Sequence, residues 1–119
     1  GLELGISVAS VACRGEPTGR PRVWNADVVA TAKRPLKQGE VLDGEGGFMV
    51  WGKQLPAPRS REIGGLPLGL ANAVALTRDI AEGAQLTATD VALDQDDLAV
   101  KLRREMVSAF APRIHRAAE

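Results

Sequence analysis

The sequence contains few aromatic side chains, with two Trp, two Phe and no Tyr among 119 residues. A hydrophobic core must therefore be built mainly from Val, Leu, Ile and Ala. Glycine and proline are plentiful by comparison, at 13 and 7 residues, and frequent turns favour short strands over a helical bundle. We expect a single domain, since a chain of this length can bury one modest core.

Cysteine and histidine occur once each, as Cys13 and His115. A lone cysteine excludes a disulfide within the chain and favours a cytoplasmic location. We expect its thiol to be buried and inert, beside Val11 and Ala12. His115 has no Cys or His partner at the spacing of metal ligands, so we interpret it as a surface residue and predict no metal site.

An excess of charge of one sign is also absent, because 15 basic and 15 acidic residues cancel. The overall charge therefore gives no reason to expect binding to nucleic acid or to an anionic membrane. No apolar run reaches the roughly 18 residues of a membrane-spanning helix, and no basic segment followed by an apolar core predicts a secretory signal. The glycines at 44, 46 and 47 lack the GxGxxG spacing, so no cofactor site is predicted in this chain.

The chain is organised around residues 74–93. Residues 74–77 alternate apolar and small or polar side chains, as in a strand with one buried face. Gly83 can supply the positive φ that a reversal of direction needs. Thr87 is placed to cap a single helical turn, with Asp90 three residues further on.

An earlier segment parallels this one. Residues 33–39 match residues 77–83, and the equivalent positions are Arg34 with Arg78, Leu36 with Ile80, Gly39 with Gly83 and Leu42 with Leu86. Each strand-turn unit would expose an apolar face if it stood alone, so we predict that the two copies cover each other.

The second copy carries a family resemblance. Its residues Arg78-Asp79-Ile80, Glu82-Gly83, Leu86-Thr87 and Asp90-Val91 resemble the signature of the SAF domain. SAF domains are β-clip modules of sialic acid synthases, antifreeze-like proteins and flagellar basal-body chaperones. The resemblance implies a mainly β fold of the β-clip type, with short flanking helices and the two-copy strand-turn repeat.

Other stretches narrow the resemblance to one subgroup. They are Ala30–Asp43, Gly44–Phe48, Trp51–Lys53 and Gly64–Leu70. They are similar to the C-terminal SAF domain of homoserine-dehydrogenase-like, NAD(P)-dependent oxidoreductases, and the resemblance extends from Leu2 to Met106. It implies an accessory domain that helps to close a substrate site or to form a homo-oligomer and does not catalyse alone. NAD(P) and the catalytic groups would belong to a preceding Rossmann-type domain, and the substrate would be a small polar or phosphorylated, sugar-derived carbonyl compound.

Four residues are candidates for ligand contact. Arg34, Arg78 and Asp79 lie in the two matched turns, and Lys53 lies in a stretch characteristic of the subgroup. The resemblance implies that rim residues of the module can contact a substrate held by a partner domain, and cationic side chains suit a phosphate or a carboxylate. The competing interpretation is structural: Arg78 and Asp79 pair with each other, and Asp79 accepts backbone N–H bonds that fix the turn.

The segments around the repeat complete the predicted organisation. Four regions are expected: a helix at 1–14 that is left over from a preceding catalytic domain or packs on it, a linker at 15–26, the SAF domain at 27–97, and a C-terminal helix and tail at 98–119. The first helix is apolar around most of its circumference, which normally means burial on several sides. The last helix, from Leu98 to Ala111, begins after three acidic residues that can cap it. Its expected buried stripe is Leu98, Leu102, Met106 and Phe110.

Two further expectations concern the middle of the chain. Residues 53–62 are polar and contain proline, which predicts a long surface excursion. Trp51 is expected to fill the core, because aromatic side chains are scarce.

A second function class stays open. The chain can instead be a free carbohydrate-binding, sugar-acid-binding or chaperone-type SAF module without redox chemistry. A periplasmic chaperone should carry a secretory signal, and a sugar-acid dehydratase module should carry useful histidines. Neither feature is present in this sequence.

Overall fold

The structure, a computed structural model, describes residues 3–19 and 22–110. Its α-helices are α1 (Leu4–Ala9), which continues as a π-helical turn (Ser10–Arg14), α2 (Ala57–Ile63) and α3 (Leu98–Ala109). Its strands are β1 (Ala26–Ala32), β2 (Val41–Asp43), β3 (Val50–Pro56) and β4 (Asn72–Ala75). Single 3-10 turns occur at Leu68–Leu70 and Ala88–Asp90. His115 and the predicted end of the last helix at Ala111 lie outside the described residues.

The strands form two small antiparallel sheets. In the first, β1 pairs with β3, with Ala26 opposite Pro56 and Ala32 opposite Val50. In the second, β2 pairs with β4 through an irregular register. The described part of the chain is therefore mixed α/β rather than clearly mainly β, and neither sheet closes into a barrel. The prediction overstated the strand content because several extended segments pair through single bridges, such as Val29 with Pro67, and are too short to form strands.

Three segments meet at a ring of backbone hydrogen bonds in the core. The N–H of Ala30 donates to Leu66 O at 2.9 Å, Leu66 N–H to Leu86 O at 2.9 Å, and Leu86 N–H to Ala30 O at 2.8 Å. All three residues are fully buried. The ring satisfies three donors that have no access to water, so it fixes β1 against both of the later segments.

The two matched turns pair with each other, as the repeat in the sequence predicts. Leu36 and Ile80 exchange both backbone hydrogen bonds, each at 2.9 Å. Gly39 N–H donates to Leu76 O and Gly83 N–H donates to Ala32 O, also at 2.9 Å. These two bonds are equivalent under the 44-residue offset from Leu36 to Ile80. The pairing thus has an approximate two-fold axis between Leu36 and Ile80.

The chemistry of the two turns explains their shared shape. Gly39 and Gly83 have φ values of +85° and +75°, which residues with a Cβ rarely adopt. The apolar side chains at equivalent positions are almost completely buried: Leu36, Leu42, Ile80 and Leu86. Together with Val50, Leu66 and Leu76 they form the centre of the core. Each copy covers the apolar face of the other.

Helix α3 turns only part of its predicted face to the protein. Leu98 and Leu102, in the predicted stripe, are 70% and 54% exposed, whereas Val100 is 8% exposed. Arg103 also points inward, because its guanidinium forms a bidentate ion pair with Asp27 of β1. Met106 and Phe110, the other two residues of the stripe, are partly buried. The apolar spacing therefore identified the helix and part of its inward face, but not Val100 or Arg103. Asp97 caps the helix as expected, by accepting the N–H groups of Ala99 and Val100.

The predicted surface excursion at residues 53–62 is wrong. Residues 53–56 belong to β3, and α2 begins directly afterwards at Ala57. Pro58 lies in the first turn of the helix, where the missing N–H of proline costs nothing. Proline thus starts a helix here rather than a loop. Trp51 is 45% exposed on β3, so it does not fill the core as expected.

Helix α1 leaves its apolar side chains uncovered. Leu4, Ile6 and Val8 of α1, and Val11 of the π-helical turn, are each at least 60% exposed. The helix contacts the π-helical turn that continues it and has no extended contact with a sheet or with another helix among the described residues. Cys13 is exposed, which contradicts the prediction of a buried thiol. Within residues 3–19 and 22–110, no helix has the length and hydropathy needed to cross a bilayer.

Candidate functional site

The second turn is held by a buried carboxylate. Asp90 is 2% exposed, and its Oδ1 accepts a hydrogen bond from Arg78 Nε at 2.5 Å. Its Oδ2 accepts the N–H of Thr87 at 2.8 Å, which completes the predicted capping box. Burial opposes ionisation of Asp90, but the hydrogen bonds from Arg78 and Thr87 outweigh it and lower the pKa of this carboxyl.

Arg78 is consequently oriented by its Nε alone. Its side chain is 62% exposed even though its partner is buried. Asp90 is the carboxylate with which Arg78 forms an ion pair, so the two Nη groups are free of carboxylate partners among the described residues. A guanidinium held in this way can present a two-pronged donor to a phosphate or carboxylate.

Asp79 links the two turns instead of pairing with Arg78. Its Oδ1 accepts the N–H of Gln38 and its Oδ2 accepts from Lys37 Nζ, both at 2.8 Å. The bond from Lys37 and then the bond from Gln38 lower the pKa of Asp79, and the same contact raises the pKa of Lys37. The predicted Arg78–Asp79 pair is therefore wrong. Asp79 does accept a backbone N–H, as expected, but the donor is Gln38 of the other turn.

Arg34 and Lys53, the other two candidates, lie on different segments from Arg78 and Asp79. The Leu36–Ile80 bridge is antiparallel, so the residues that precede Leu36 and Ile80 run toward opposite ends of it, which separates Arg34 from Arg78. Arg34 contacts Glu40, with Nη1 3.1 Å from Oε2. Lys53 lies on β3 opposite Val29 of β1, and Val29 precedes Arg34 by five residues in the sequence. Arg78 and Asp79 thus share the second turn, Arg34 lies in the first turn, and Lys53 lies on β3.

A second cluster connects β1, α2 and α3. The carboxylate of Asp27 accepts hydrogen bonds from both Nη groups of Arg103. It also accepts a hydrogen bond from the hydroxyl of Ser60 at 2.5 Å. The side chains of Asp27 and Arg103 are 9% and 17% exposed. Trp24 stacks beneath Arg103, with Cζ 4.6 Å from the ring centroid, and Arg61 lies on the same ring at 5.8 Å.

Sequence reasoning missed this cluster and also the partner of Arg78. Asp27 and Arg103 are 76 residues apart, and no local pattern connects a strand residue with a helix residue at that distance. The predicted cap at Asp90 could have indicated the partner of Arg78, because a carboxylate that caps a turn can also form an ion pair with a nearby arginine. Among the described residues, no group of three His, Cys, Asp or Glu side chains could hold a metal ion.

The α2–α3 cavity, of about 400 Å³, lies next to the cluster. Its apolar wall consists of Pro67, Leu70, Leu93, Val100 and Val107, and its polar lining includes Ser60, Arg61, Thr89, Gln95, Arg103 and Arg104. No acidic residue lines it. The cavity thus combines an apolar interior with guanidinium groups.

Comparison with known proteins adds no assignment. No protein-family model matches the sequence, and no curated protein matches it. A function for this chain is therefore inferred from its residues and their geometry.

Proposed function

We propose that this chain is a SAF-type, β-clip accessory domain of an NAD(P)-dependent, homoserine-dehydrogenase-like oxidoreductase. In this proposal the chain contributes to substrate-site closure or oligomerisation. A preceding Rossmann-type domain supplies the nucleotide site and the catalytic groups. The substrate is a small polar or phosphorylated, sugar-derived carbonyl compound, and the protein is cytoplasmic.

The observation that carries the proposal is the uncovered apolar surface of α1. Ile6 and Val8 are 63% and 60% exposed, and a side chain of this type gains about 1.5–3 kcal/mol when it is fully buried. Several exposed apolar residues on one short helix are typical of an element that packs against another domain or subunit. This supports a role as one part of a larger assembly.

The surface of the second turn, around Arg78 and Asp79, supports contact with an anionic substrate. Arg78 is oriented by the buried Asp90, so its remaining donors are arranged before a ligand arrives. Lys37 and Asp79 neutralise each other beside it. A phosphate or carboxylate of the substrate therefore has one preferred partner at this edge, which is Arg78.

One observation favours the alternative of a free carbohydrate-binding or sugar-acid-binding module. Phe48, two residues before β3, is 86% exposed, and Trp51 on β3 is 45% exposed. Exposed aromatic rings offer flat apolar faces with which a sugar ring can stack. In this alternative, those two rings and not Arg78 provide the main contact.

The first test is the size and cofactor affinity of the native protein. An antibody raised against this chain is used to probe a lysate of the source organism and to purify the protein that it recognises. We expect a band several times larger than 12.6 kDa and saturable binding of NADH or NADPH by the purified protein. A band near 12.6 kDa, or a large protein that binds neither nucleotide, contradicts the oxidoreductase proposal.

The second test addresses Arg78 in the intact protein. We expect Arg78→Gln to raise KM for an anionic substrate about tenfold, because a charge-assisted hydrogen bond is lost. Arg59→Gln is the matched control, since Arg59 is an exposed arginine paired with Glu62 on α2. Equal effects of the two substitutions would show that Arg78 does not contact the substrate.

A further inference from the structure

The charge of the α2–α3 cavity is unbalanced. Arg103 is neutralised by Asp27, which lies behind it. Arg61 donates to the backbone carbonyl of Phe110 at 2.5 Å, and Arg104 donates to the amide oxygen of Gln95 at 2.5 Å. Both acceptors are uncharged, and neither arginine forms an ion pair within the part of the chain that the structure describes. Two guanidinium charges therefore remain without a counter-charge at the wall of an apolar cavity.

Such an arrangement favours an anion. Charges interact more strongly beside an apolar wall than in bulk water, because the effective dielectric constant is lower there. A guanidinium also keeps several N–H donors after one hydrogen bond has formed. Arg61 and Arg104 can thus donate to an incoming carboxylate or phosphate without losing their present acceptors.

The rest of the cavity indicates the body of the ligand. The aliphatic side chains of Leu70, Leu93, Val100 and Val107 line it, and a volume of about 400 Å³ is within the range of small-molecule sites. Thr89 and Gln95 add a few polar groups that can orient a ligand. The wall suits a short apolar chain better than a polyhydroxylated sugar.

We propose that the α2–α3 cavity binds a small organic anion with a carboxylate or phosphate head and a short apolar body. Arg61 and Arg104 hold the head, and the aliphatic wall holds the body. Arg78 does not line this cavity, and the proposal does not depend on the proposed oxidoreductase function.

The test is a titration of the isotope-labelled chain by two-dimensional NMR. The probes are hexanoate and butyl phosphate, with hexanol as the uncharged comparison. We expect saturable shifts of the Gly64, Gly65 and Thr89 amides with at least one of the two anions, and about tenfold weaker binding of hexanol. Comparison of the two anions identifies the head group. No saturation with either anion, or equal affinity for hexanol, overturns the proposal.

Substitutions distinguish a specific site from general attraction. Arg104→Gln should weaken anion binding about tenfold, and its exposed position makes a folding defect unexpected. Arg61→Gln should have a similar effect. Arg59→Gln, on the same helix but outside the cavity lining, should leave the affinity unchanged. If Arg104→Gln and Arg59→Gln weaken binding equally, the proposed site is wrong.

Discussion

Asp90 has two functions in the second turn. Its carboxylate caps the turn at Thr87 and orients Arg78, and it is buried while Arg78 is exposed. Removing the charge leaves Arg78 without its counter-ion and weakens the cap. Asp90 is therefore a residue on which both the stability and the proposed ligand contact depend.

We expect Asp90→Asn to lower the free energy of unfolding at pH 7 by about 2 kcal/mol, from the lost charge-assisted hydrogen bonds. Urea titration followed by circular dichroism measures this change. Thr87→Ala should cost about 1 kcal/mol as the loss of a cap residue. A change below the experimental error for Asp90→Asn would contradict the assigned role.

The same residue predicts a pH dependence. The folded-state pKa of Asp90 lies below its ordinary value of 3.8, so the folded protein holds the proton less tightly than the unfolded chain. Its stabilisation is complete above the unfolded pKa and is lost as pH falls through the lowered folded value. We expect the stability difference between wild type and Asp90→Asn to shrink below about pH 4. A difference that stays constant down to pH 2 would contradict this.

Ala73 is the one non-glycine residue with positive φ among the described residues, at +55°. This conformation costs an L-residue about 1–2 kcal/mol. We expect Ala73→Gly to raise the free energy of unfolding by about 0.5–1 kcal/mol, measured by urea titration. Ala75→Gly, in the same strand, is the matched control and should instead lower it by a similar amount. Loss of stability at both positions would contradict the role of backbone strain.

At the scale of elements, the Asp27–Arg103 pair decides how α3 packs. Removing one partner of a largely buried ion pair typically costs about 3–5 kcal/mol, because the other charge remains buried. We expect Arg103→Ala to destabilise the chain by about 3 kcal/mol and to shift the fluorescence of Trp24, which lies under the guanidinium.

Leu102→Ala is the control on the same helix. Leu102 is 54% exposed, so its truncation should change stability by less than about 0.5 kcal/mol. If Leu102→Ala lowered the free energy of unfolding more than Arg103→Ala did, the buried face of α3 would instead be the apolar stripe that the sequence predicted.

Some features of the elements could be predicted from the sequence and others could not. The Gly83 turn, the Thr87–Asp90 cap and the mutual cover of Leu36 and Ile80 could be predicted, because each follows from local chemistry or from the repeat. The buried face of α3 and the partner of Arg78 could not. Both depend on ion pairs between residues that are distant in sequence, and the spacing of apolar residues contains no information about them.

The candidate site residues also differ in how well the sequence predicted them. The matched turns predicted that Arg78 and Asp79 would lie at a turn surface, since both belong to the repeat. Lys53 was a candidate because of the family resemblance, and the structure places it on β3, opposite Val29. The α2–α3 cavity had no sequence signal, because its wall combines residues from α2, α3 and the segments between them.

At the scale of the whole molecule, α1 is energetically separate from the rest of the described chain. It has no extended contact with the sheets, so its apolar residues contribute little to the stability of the core. We expect the double substitution Ile6→Ser and Val8→Ser to leave the free energy of unfolding unchanged within about 0.5 kcal/mol.

The same double variant should lose association with a partner surface. Analytical ultracentrifugation of the chain, alone and mixed with the proposed catalytic domain, measures this. Phe48→Ser is the control for a general effect of exposed apolar residues, since Phe48 is 86% exposed on a different part of the chain. Association that survives the Ile6 and Val8 substitutions would contradict the docking role of α1.

The reciprocal pairing of Leu36 with Ile80 has a consequence for how the chain folds. Neither turn can complete its hydrogen bonds before the other arrives, and the two are 44 residues apart along the chain. Closing that loop costs conformational entropy before any stabilising contact between the turns has formed. Chains dominated by such distant contacts fold in milliseconds to seconds rather than microseconds. A nascent chain that has left the ribosome only as far as the first copy therefore exposes Leu36 and Leu42 until the second copy is synthesised.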